Sequence, residues 1–319
     1  MPHPHISKKP EEQPTRGKTA SNRLRRVDNF ILLYEPSLLT RSDGLFAPPF
    51  TSSKQNEEGG VTDSMFVDLG YGFEARTTLE SASRFRRVNP NLKILGVEID
   101  KERVENALPF ADEKTFFRLS GFNLPLKESE HVRLIRAFNV LRQYEEKDFA
   151  PAYERLAQYV LPGGLVIEGT SNPFGSIWVA NVARKVDNVT LREAKSLEQQ
   201  PIEILRSLRS LTPPRRPSGG MTNNWNFEAL VFSTNFRLGF DVQEFQTVLP
   251  KNLIHHITSG EPIYDFFEAW KESAAETSAM KAFGARQWFV NSAESLARKG
   301  YQVNLQKKFL SRGYLIWEL

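Results

Sequence analysis

The chain has 319 residues, of which 40% are hydrophobic and 25% are charged, the balance of an ordinary globular protein with a sizeable core. It contains no cysteine, which excludes disulfides, thiolate metal sites and a cysteine nucleophile, and we predict no metal site. It has no apolar run of about 18 residues. No apolar segment follows the basic, proline-containing N-terminus. We therefore expect no membrane span and no secretory signal, and a cytoplasmic protein.

The net charge of +4 is concentrated at one end of the chain. Residues 1–26 carry a net charge of +5, and the rest of the chain carries −1. A short basic arm of this kind can contact the phosphates of RNA, and the alternative is a solvated, disordered tail. The arm residues considered for RNA are Arg16, Lys18, Arg23, Arg25 and Arg26.

Three regions are predicted in chain order. Residues 1–20 are polar and contain four prolines, which is typical of a disordered basic tail. Residues 21–64 form an N-terminal extension, in which apolar residues at helical spacing predict a helix over 21–34, capped by Ser21 or Asn22, and a loop follows. Residues 65–319 are predicted to form the main domain. Its irregular excursion at about 186–226 is rich in proline and glycine.

From residue 65 onward, short apolar runs alternate with helical patterns. Strands are predicted over 65–69, 93–98, 116–119, 132–137 and 165–168. Helices are predicted over about 77–87, 101–108 and 146–160. This alternation is typical of a doubly wound, mostly parallel sheet with helices on both faces. Further strands at 229–236 and 314–319, with a helix at 262–276, complete a predicted seven-stranded sheet in an α/β fold.

A glycine turn follows the first predicted strand. Residues 66–69 run into Gly70-Tyr71-Gly72, and a helical pattern begins at once, with Thr77 and Glu80 at the spacing of a capping box. Glycines are needed where the chain turns tightly against a ligand. The second strand ends at Glu98, whose carboxylate can accept hydrogen bonds from ribose hydroxyls. Together these features predict a nucleoside site, the alternative being a turn that only packs a helix on a strand.

The choice between nucleoside cofactors depends on the residue two positions after the second glycine. A pyrophosphate cofactor favours a third glycine, but Glu74 occupies that position, and its charge would repel phosphate. A cationic sulfonium and ammonium group is compatible with Asp68 and Glu74. The sequence therefore favours S-adenosylmethionine over a nicotinamide dinucleotide.

Four segments, spread over about residues 65–170, also resemble motifs of the class I S-adenosylmethionine-dependent methyltransferases. They are Val67-Asp68-Leu69-Gly70-Tyr71-Gly72, Leu95-Gly96-Val97-Glu98-Ile99-Asp100, Leu124-Pro125-Leu126 and Leu161-Pro162-Gly163-Gly164-Leu165. Other stretches, including residues 134–144, resemble an uncharacterised bacterial methyltransferase-like family. The resemblance implies a Rossmann-like fold and S-adenosylmethionine as cofactor. The cofactor-binding residues it implies are Asp68, Gly70, Tyr71, Gly72, Glu98, Ile99, Phe122 and Asn123.

The residues after the fourth and fifth strands are the candidates for chemistry, because ligands of open parallel sheets sit at the carboxyl ends of the strands. They are Arg136, Asn139, Tyr144 and Glu168, with Glu168 as the best-placed base. For each the alternative is a structural role, such as an ion pair between Arg136 and Glu168. Asn172-Pro173-Phe174 is interpreted as a turn. The adjacent His255 and His256 would point to opposite faces of a strand and are not expected to share a metal.

Three functions remain open at this point. The favoured one is methyl transfer from S-adenosylmethionine to a small molecule or a protein. An RNA methyltransferase anchored by the basic arm is the second, and a nucleoside-binding protein without catalysis is the third. The methyl acceptor, the oligomeric state and the catalytic base are not assigned, since fold does not determine function.

Overall fold

The computed structural model describes residues 20–41, 64–186 and 224–319. Its strands are β1 Met65–Leu69, β2 Ile94–Glu98, β3 Thr115–Leu119, β4 Val132–Phe138, β5 Val160–Ser171, β6 Ile177–Lys185, β7 Trp225–Thr234 and β8 Tyr314–Glu318. Its α-helices are α1 Arg25–Tyr34, α2 Arg76–Phe85, α3 Lys101–Ala107, α4 Phe149–Ala157, α5 Gln243–Gln246, α6 Lys251–Ile254, α7 Pro262–Glu276, α8 Ala285–Arg298 and α9 Lys307–Leu310. Short 3-10 turns occur at Leu108–Phe110, Leu141–Gln143, Glu146–Asp148 and Ser278–Phe283.

The strands form one sheet in the order β3-β2-β1-β4-β5-β6-β7-β8. Neighbouring strands from β3 to β5 pair in parallel, and β5 to β8 pair antiparallel. The α/β class is confirmed, with a sheet that is parallel in its first half, but the sheet has eight strands and not seven. The additional strand is β6. Seven of its nine residues are buried, so it lacks the alternation of polar and apolar residues that marks a strand with one solvated face.

Apolar cores lie on both faces of the sheet. On one face, α1 and α2 pack on strand residues such as Phe66, Leu134 and Trp178. On the other face, α4 packs on the parallel half of the sheet. The long helices α7 and α8 cover the antiparallel half of that same face. Since side chains alternate between the faces along each strand, both faces need helices to exclude water from the sheet.

The first helix begins later than its apolar spacing predicts. It starts at Arg25 after Leu24, and no side chain caps it. Asn22 has a left-handed backbone with φ of 58°. The hydroxyl of Ser21 accepts a hydrogen bond from Arg76 at 2.8 Å. The polar residues expected to cap α1 therefore connect it to α2.

The predicted capping box of α2 is also replaced by longer-range contacts. The helix begins at Arg76 after Ala75, whose φ is 47°. The Thr77 hydroxyl donates to Asp68, and the Glu80 carboxylate accepts from the backbone N–H of Asn22. These partners lie 9 and 58 residues away in sequence, so no local pattern contains them.

Two other predictions concern the second half of the chain. The segment Leu161-Pro162-Gly163-Gly164, which precedes the strand predicted at 165–168, lies inside β5, which begins at Val160. The predicted excursion falls mostly on residues 187–223, outside the described residues, and β7 already begins at Trp225. Within the described ranges, no helix has the length and apolar character needed to span a bilayer.

Candidate functional site

A pocket lies at the carboxyl ends of β1 and β2. Its lining residues come from these two strands, from the turn after β3 and from the turn after β4. They are Leu69, Gly70, Val97, Glu98, Ile99, Ser120, Gly121, Phe122, Val140 and Tyr144. The lining is mainly apolar and contains one carboxylate, a composition typical of sites that bind a small molecule with a few polar groups.

The glycine turn after β1 forms one wall of this pocket. Gly70 has φ of 70° and Gly72 has φ of 85°, conformations that side-chain-bearing residues adopt only with strain. Tyr71 points away from the pocket and packs edge-on against Phe117, with ring centroids 5.5 Å apart. Glu74, at the position of the missing third glycine, forms an exposed ion pair with Arg76. Its charge is therefore directed to solvent.

The Glu98 carboxylate is the polar centre of the pocket and is 1% exposed. Its Oε2 accepts from the backbone N–H of Gly72 at 3.0 Å and from Arg103 Nη1 at 3.4 Å. Its Oε1 accepts from the backbone N–H of Ile99 at 3.0 Å. A carboxylate has about four acceptor positions, so these contacts leave one position on Oε1 for a ligand. The side chain thus holds the turn together and can accept one further hydrogen bond.

Two aromatic rings close the other end of the pocket. Phe122 and Tyr144 meet edge-on with ring centroids 5.3 Å apart, and both are buried. Asn123 is exposed and is not part of the lining, although its carbonyl accepts a hydrogen bond from the Ser120 hydroxyl. An aromatic and glycine-lined end of this kind suits a planar heterocycle.

Asp68 and Arg136 do not line the pocket and lie inside a buried ion-pair network. Arg136 Nη2 lies 2.8 Å from Asp68 Oδ2, and its Nη1 bonds to Asp28. Arg84 Nη1 is 2.6 Å from Asp28. Arg136 and Asp28 are fully buried, so each charge depends on its partners. We therefore assign Asp68 and Arg136 a structural role, in place of the cofactor contact and catalytic role considered from the sequence.

Glu168 is likewise buried and does not line the pocket. Its Oε2 accepts from Asn181 Nδ2 at 2.9 Å, and its Oε1 has no partner among the described residues. Burial raises the pKa of Glu168 to about 7. The hydroxyls of Tyr153 and Thr170 are also buried, with no hydrogen-bond partner in the part of the chain that the structure describes. The ion pair between Arg136 and Glu168 that the sequence suggested does not form, because the two side chains point to opposite faces of the sheet.

Asn139 joins the ends of β4 and β5. Its φ is 59°, and its Oδ1 accepts from the backbone N–H of Ser171 at 3.1 Å. The Ser171 hydroxyl in turn accepts from Arg23 Nε at 3.2 Å. Gln143 Nε2 donates to the Asn139 carbonyl at 3.2 Å. Asn139 thus shapes the edge of the sheet beside the pocket, where an acceptor of a reaction would lie.

The basic arm divides into engaged and exposed residues. Arg23 bonds to Ser171, and Arg26 donates to the Ser233 hydroxyl and the Arg312 carbonyl. Arg25 is exposed. Arg16 and Lys18 lie outside the described residues. The arginines nearest the fold therefore do not form the free arm that composition suggested.

The structure brings together Gly70, Glu98, Ile99, Phe122 and Tyr144 of the predicted site residues. The apolar lining from Leu69, Val97 and Val140 was not among the predicted site residues. Gly121, two residues after the end of β3, is a position at which a ligand can approach the backbone. Among the described residues, no three His, Asp or Glu side chains are placed to hold a metal.

No protein-family model and no curated protein matches the chain. Solved structures of methyltransferases match parts of it. The N-methyltransferase NodS from Bradyrhizobium japonicum WM9 is 12% identical, covers 34% of this chain and 58% of its own, and has a TM-score of 0.27. The plantazolicin methyltransferase BpumL in complex with SAH is 14% identical, with 47% and 51% covered and a TM-score of 0.30.

A third match is the complex of the Haloferax volcanii Trm112 methyltransferase activator with a putative methyltransferase. It is 20% identical, covers 47% of this chain and 56% of its own, and has a TM-score of 0.28. The chain thus spans about half the length of the solved structures it matches.

Proposed function

We propose that the protein is a methyltransferase that binds S-adenosylmethionine in the pocket between β1 and β2. The observation that carries this proposal is the Glu98 carboxylate, which lines the pocket at the end of β2 and holds the Gly72 turn at 3.0 Å. A carboxylate at this strand end beside a glycine turn is suited to ribose hydroxyls. The cofactor supplies a methyl group on a cationic sulfonium, an electrophile that needs no metal.

The lining residues fit the nucleoside part of this cofactor. Glu98 would hold the ribose through its remaining acceptor position. Phe122 and the backbone at Gly121 would contact the heterocycle. No arginine, lysine or histidine is among the lining residues, which disfavours a pyrophosphate cofactor.

The residues beside the pocket would position the acceptor. Tyr144 lines the pocket, and Asn139 lies five residues earlier at the end of β4. Methyl transfer to a good nucleophile depends mainly on placing the two reactants in line, so these residues need no acid–base function. Glu168, buried on a single hydrogen bond from Asn181, is not placed to remove a proton from a substrate in this pocket. The acceptor class favoured by the neutral body of the chain is a small molecule or a protein.

RNA is a second candidate acceptor, and one observation favours it. Arg25 and Arg237 are exposed and line a common groove. A protein that binds the nucleoside without catalysis would share the pocket and differ only in lacking turnover.

Calorimetric titration with S-adenosylmethionine, S-adenosylhomocysteine and NAD tests the proposal. We expect micromolar binding of the first two, no binding of NAD, and loss of binding in Glu98→Ala. The matched control is Glu74→Ala, which removes an exposed carboxylate from the same turn and should bind as the wild type does. Absence of binding to both sulfur nucleosides by the folded wild type, or equal binding of NAD, would overturn the proposal.

A further inference from the structure

A second, more open groove lies where the start of α1 meets two loops. One loop is the β5–β6 turn, and the other follows β7. The side chains that line the groove include Arg25, Arg26, Phe174, Asn235 and Arg237. It is separate from the nucleoside pocket, with which it shares no lining residue.

The groove is lined by positive charge without a carboxylate. Arg25 and Arg237 are exposed, and neither guanidinium forms an ion pair among the described residues. Arg26 is held in place by Ser233 Oγ at 2.9 Å and the Arg312 carbonyl at 2.7 Å, neither of which is charged. Burial and the nearby Arg286 lower the pKa of Arg26. The like charges in this region are therefore not neutralised by the protein itself, which favours an anionic ligand.

An aromatic ring stands at the rim of the same groove. Phe174 is 76% exposed, among the most exposed large apolar side chains in the described structure. Its turn is well fixed, because the Ser176 N–H donates to Asn172 Oδ1 at 3.0 Å and the Gly175 N–H donates to the Asn172 carbonyl at 3.1 Å. Gly175 also packs so closely on the Arg23 carbonyl that a Cβ would lie 1.8 Å from it. A fixed, exposed ring beside unpaired arginines is the arrangement that stacks a base.

We propose that this groove binds single-stranded nucleic acid, with phosphates on Arg25 and Arg237 and a base stacked on Phe174. Grooves of this kind combine cationic side chains that follow the backbone with aromatic faces that accept any base. The sequence before Ala20 also contains Lys8, Lys9, Arg16 and Lys18. A polyanion in the groove contacts both exposed arginines, whereas a small anion needs only one of them.

The groove is also connected to the edge of the sheet beside the nucleoside pocket. Arg23, whose carbonyl contacts Gly175, donates to the Ser171 carbonyl at 3.3 Å and to its hydroxyl at 3.2 Å. Ser171 is bonded to Asn139 at the end of β4. The inference that the groove delivers a methyl acceptor rests on the proposed methyltransferase function. The inference that the groove binds nucleic acid does not depend on that function.

Fluorescence anisotropy with a labelled RNA strand of about 12 nucleotides, within the size of such sites, tests the groove directly. The full chain is titrated at several salt concentrations without cofactor. We expect Arg25→Ala/Arg237→Ala to weaken binding at least tenfold and to reduce the slope of log K against log salt by about 1.4, since each phosphate contact on a single strand contributes about 0.7. We expect Phe174→Ala to weaken binding about tenfold with an unchanged salt slope.

Two matched controls remove similar side chains elsewhere. Arg298→Ala removes an arginine from the end of α8. This helix packs on the opposite face of the sheet from α1. Phe110→Ala removes a ring that is 56% exposed beyond α3, beside the β3 edge of the sheet. Both should bind as the wild type does.

Three outcomes would overturn the assignment. The first is wild-type affinity in the Arg25→Ala/Arg237→Ala variant together with loss of binding when Lys8, Lys9, Arg16 and Lys18 are replaced, which would place binding on the tail alone. The second is an unchanged affinity in Phe174→Ala, which would indicate a phosphate site without stacking. The third is equal binding of a duplex. Because no cofactor is present, failure here is distinct from failure of the nucleoside pocket in calorimetry.

Discussion

The backbone N–H of Gly72 donates a 3.0 Å hydrogen bond to Oε2 of Glu98, which joins the turn after β1 to the end of β2. The two residues lie 26 positions apart in the chain, and parallel pairing of β1 with β2 brings them together. The carboxylate therefore has two functions, to fix the shape of the glycine turn and to offer an acceptor to a ligand. Substitutions can separate these functions.

Glu98→Gln should weaken S-adenosylhomocysteine binding at least tenfold while the protein still folds. The amide oxygen can replace Oε2 as acceptor for Gly72 and Arg103, but the amide NH₂ then faces the N–H of Ile99. Loss of a charged hydrogen bond costs about 1.5–3 kcal/mol, so thermal unfolding should shift down by several degrees. Calorimetry and thermal denaturation measure the two effects. Unchanged affinity with lowered stability would leave Glu98 only its structural function.

Arg136→Met should destabilise the protein by about 3–5 kcal/mol, because it leaves Asp68 buried without a cationic partner and Asp28 with only Arg84. Urea denaturation measures this cost. The comparison variant Arg76→Met removes the exposed pair with Glu74 and should cost less than about 1 kcal/mol. Equal costs for the two variants would contradict the assignment of Arg136 to a buried structural network.

Local sequence patterns predicted what local interactions determine. The bounds of β1 and of the helix Pro262–Glu276 agree residue for residue with their predictions, because each is a continuous pattern of one period. The glycine turn and Glu98 were identified in the same way. The turn follows the apolar run of β1, and Glu98 is the last residue of β2.

Contacts between distant residues could not be predicted from such patterns. Asp28 and Arg136 are 108 positions apart, so the sequence around Arg136 did not indicate that its guanidinium would form an ion pair with Asp28. The strand β6 was missed because burial on both faces removes its alternation. The groove around Phe174 and Arg237 forms where three separate segments of the chain pack together, and the sequence does not predict that packing.

Gly175→Ala should be far more destabilising than Gly260→Ala. Both glycines have positive φ, of 65° and 92°, so both substitutions introduce backbone strain. Only at Gly175 would the new Cβ collide with backbone, 1.8 Å from the Arg23 carbonyl, whereas Gly260 has no atom within 4 Å. We expect an additional cost of at least about 2 kcal/mol at Gly175, from displacement of the segment that carries Arg23. Equal free energies of unfolding in urea for Gly175→Ala and Gly260→Ala would show that the segment with Arg23 can move away without cost.

The stability of the protein should fall between about pH 4.5 and 7 because of Glu168. Burial raises the pKa of this carboxyl from 4.5 to about 7. Between these values the folded state keeps a proton that the unfolded state has lost, so the free energy of unfolding decreases by about 1.4 kcal/mol per pH unit. The total loss is about 3 kcal/mol, complete above pH 7.

Glu168→Gln should abolish this loss, since the amide oxygen can still accept from Asn181 and carries no charge. The variant should match the wild type near pH 4.5 and exceed its stability by about 3 kcal/mol at pH 8. The hydrogen bond to Glu146 raises the pKa of His256, but His256 is present in both proteins, so its contribution cancels in the difference. Urea denaturation of both proteins across this pH range measures the difference. Parallel stability curves would show that Glu168 is ionised in the folded protein and that its free oxygen has a partner.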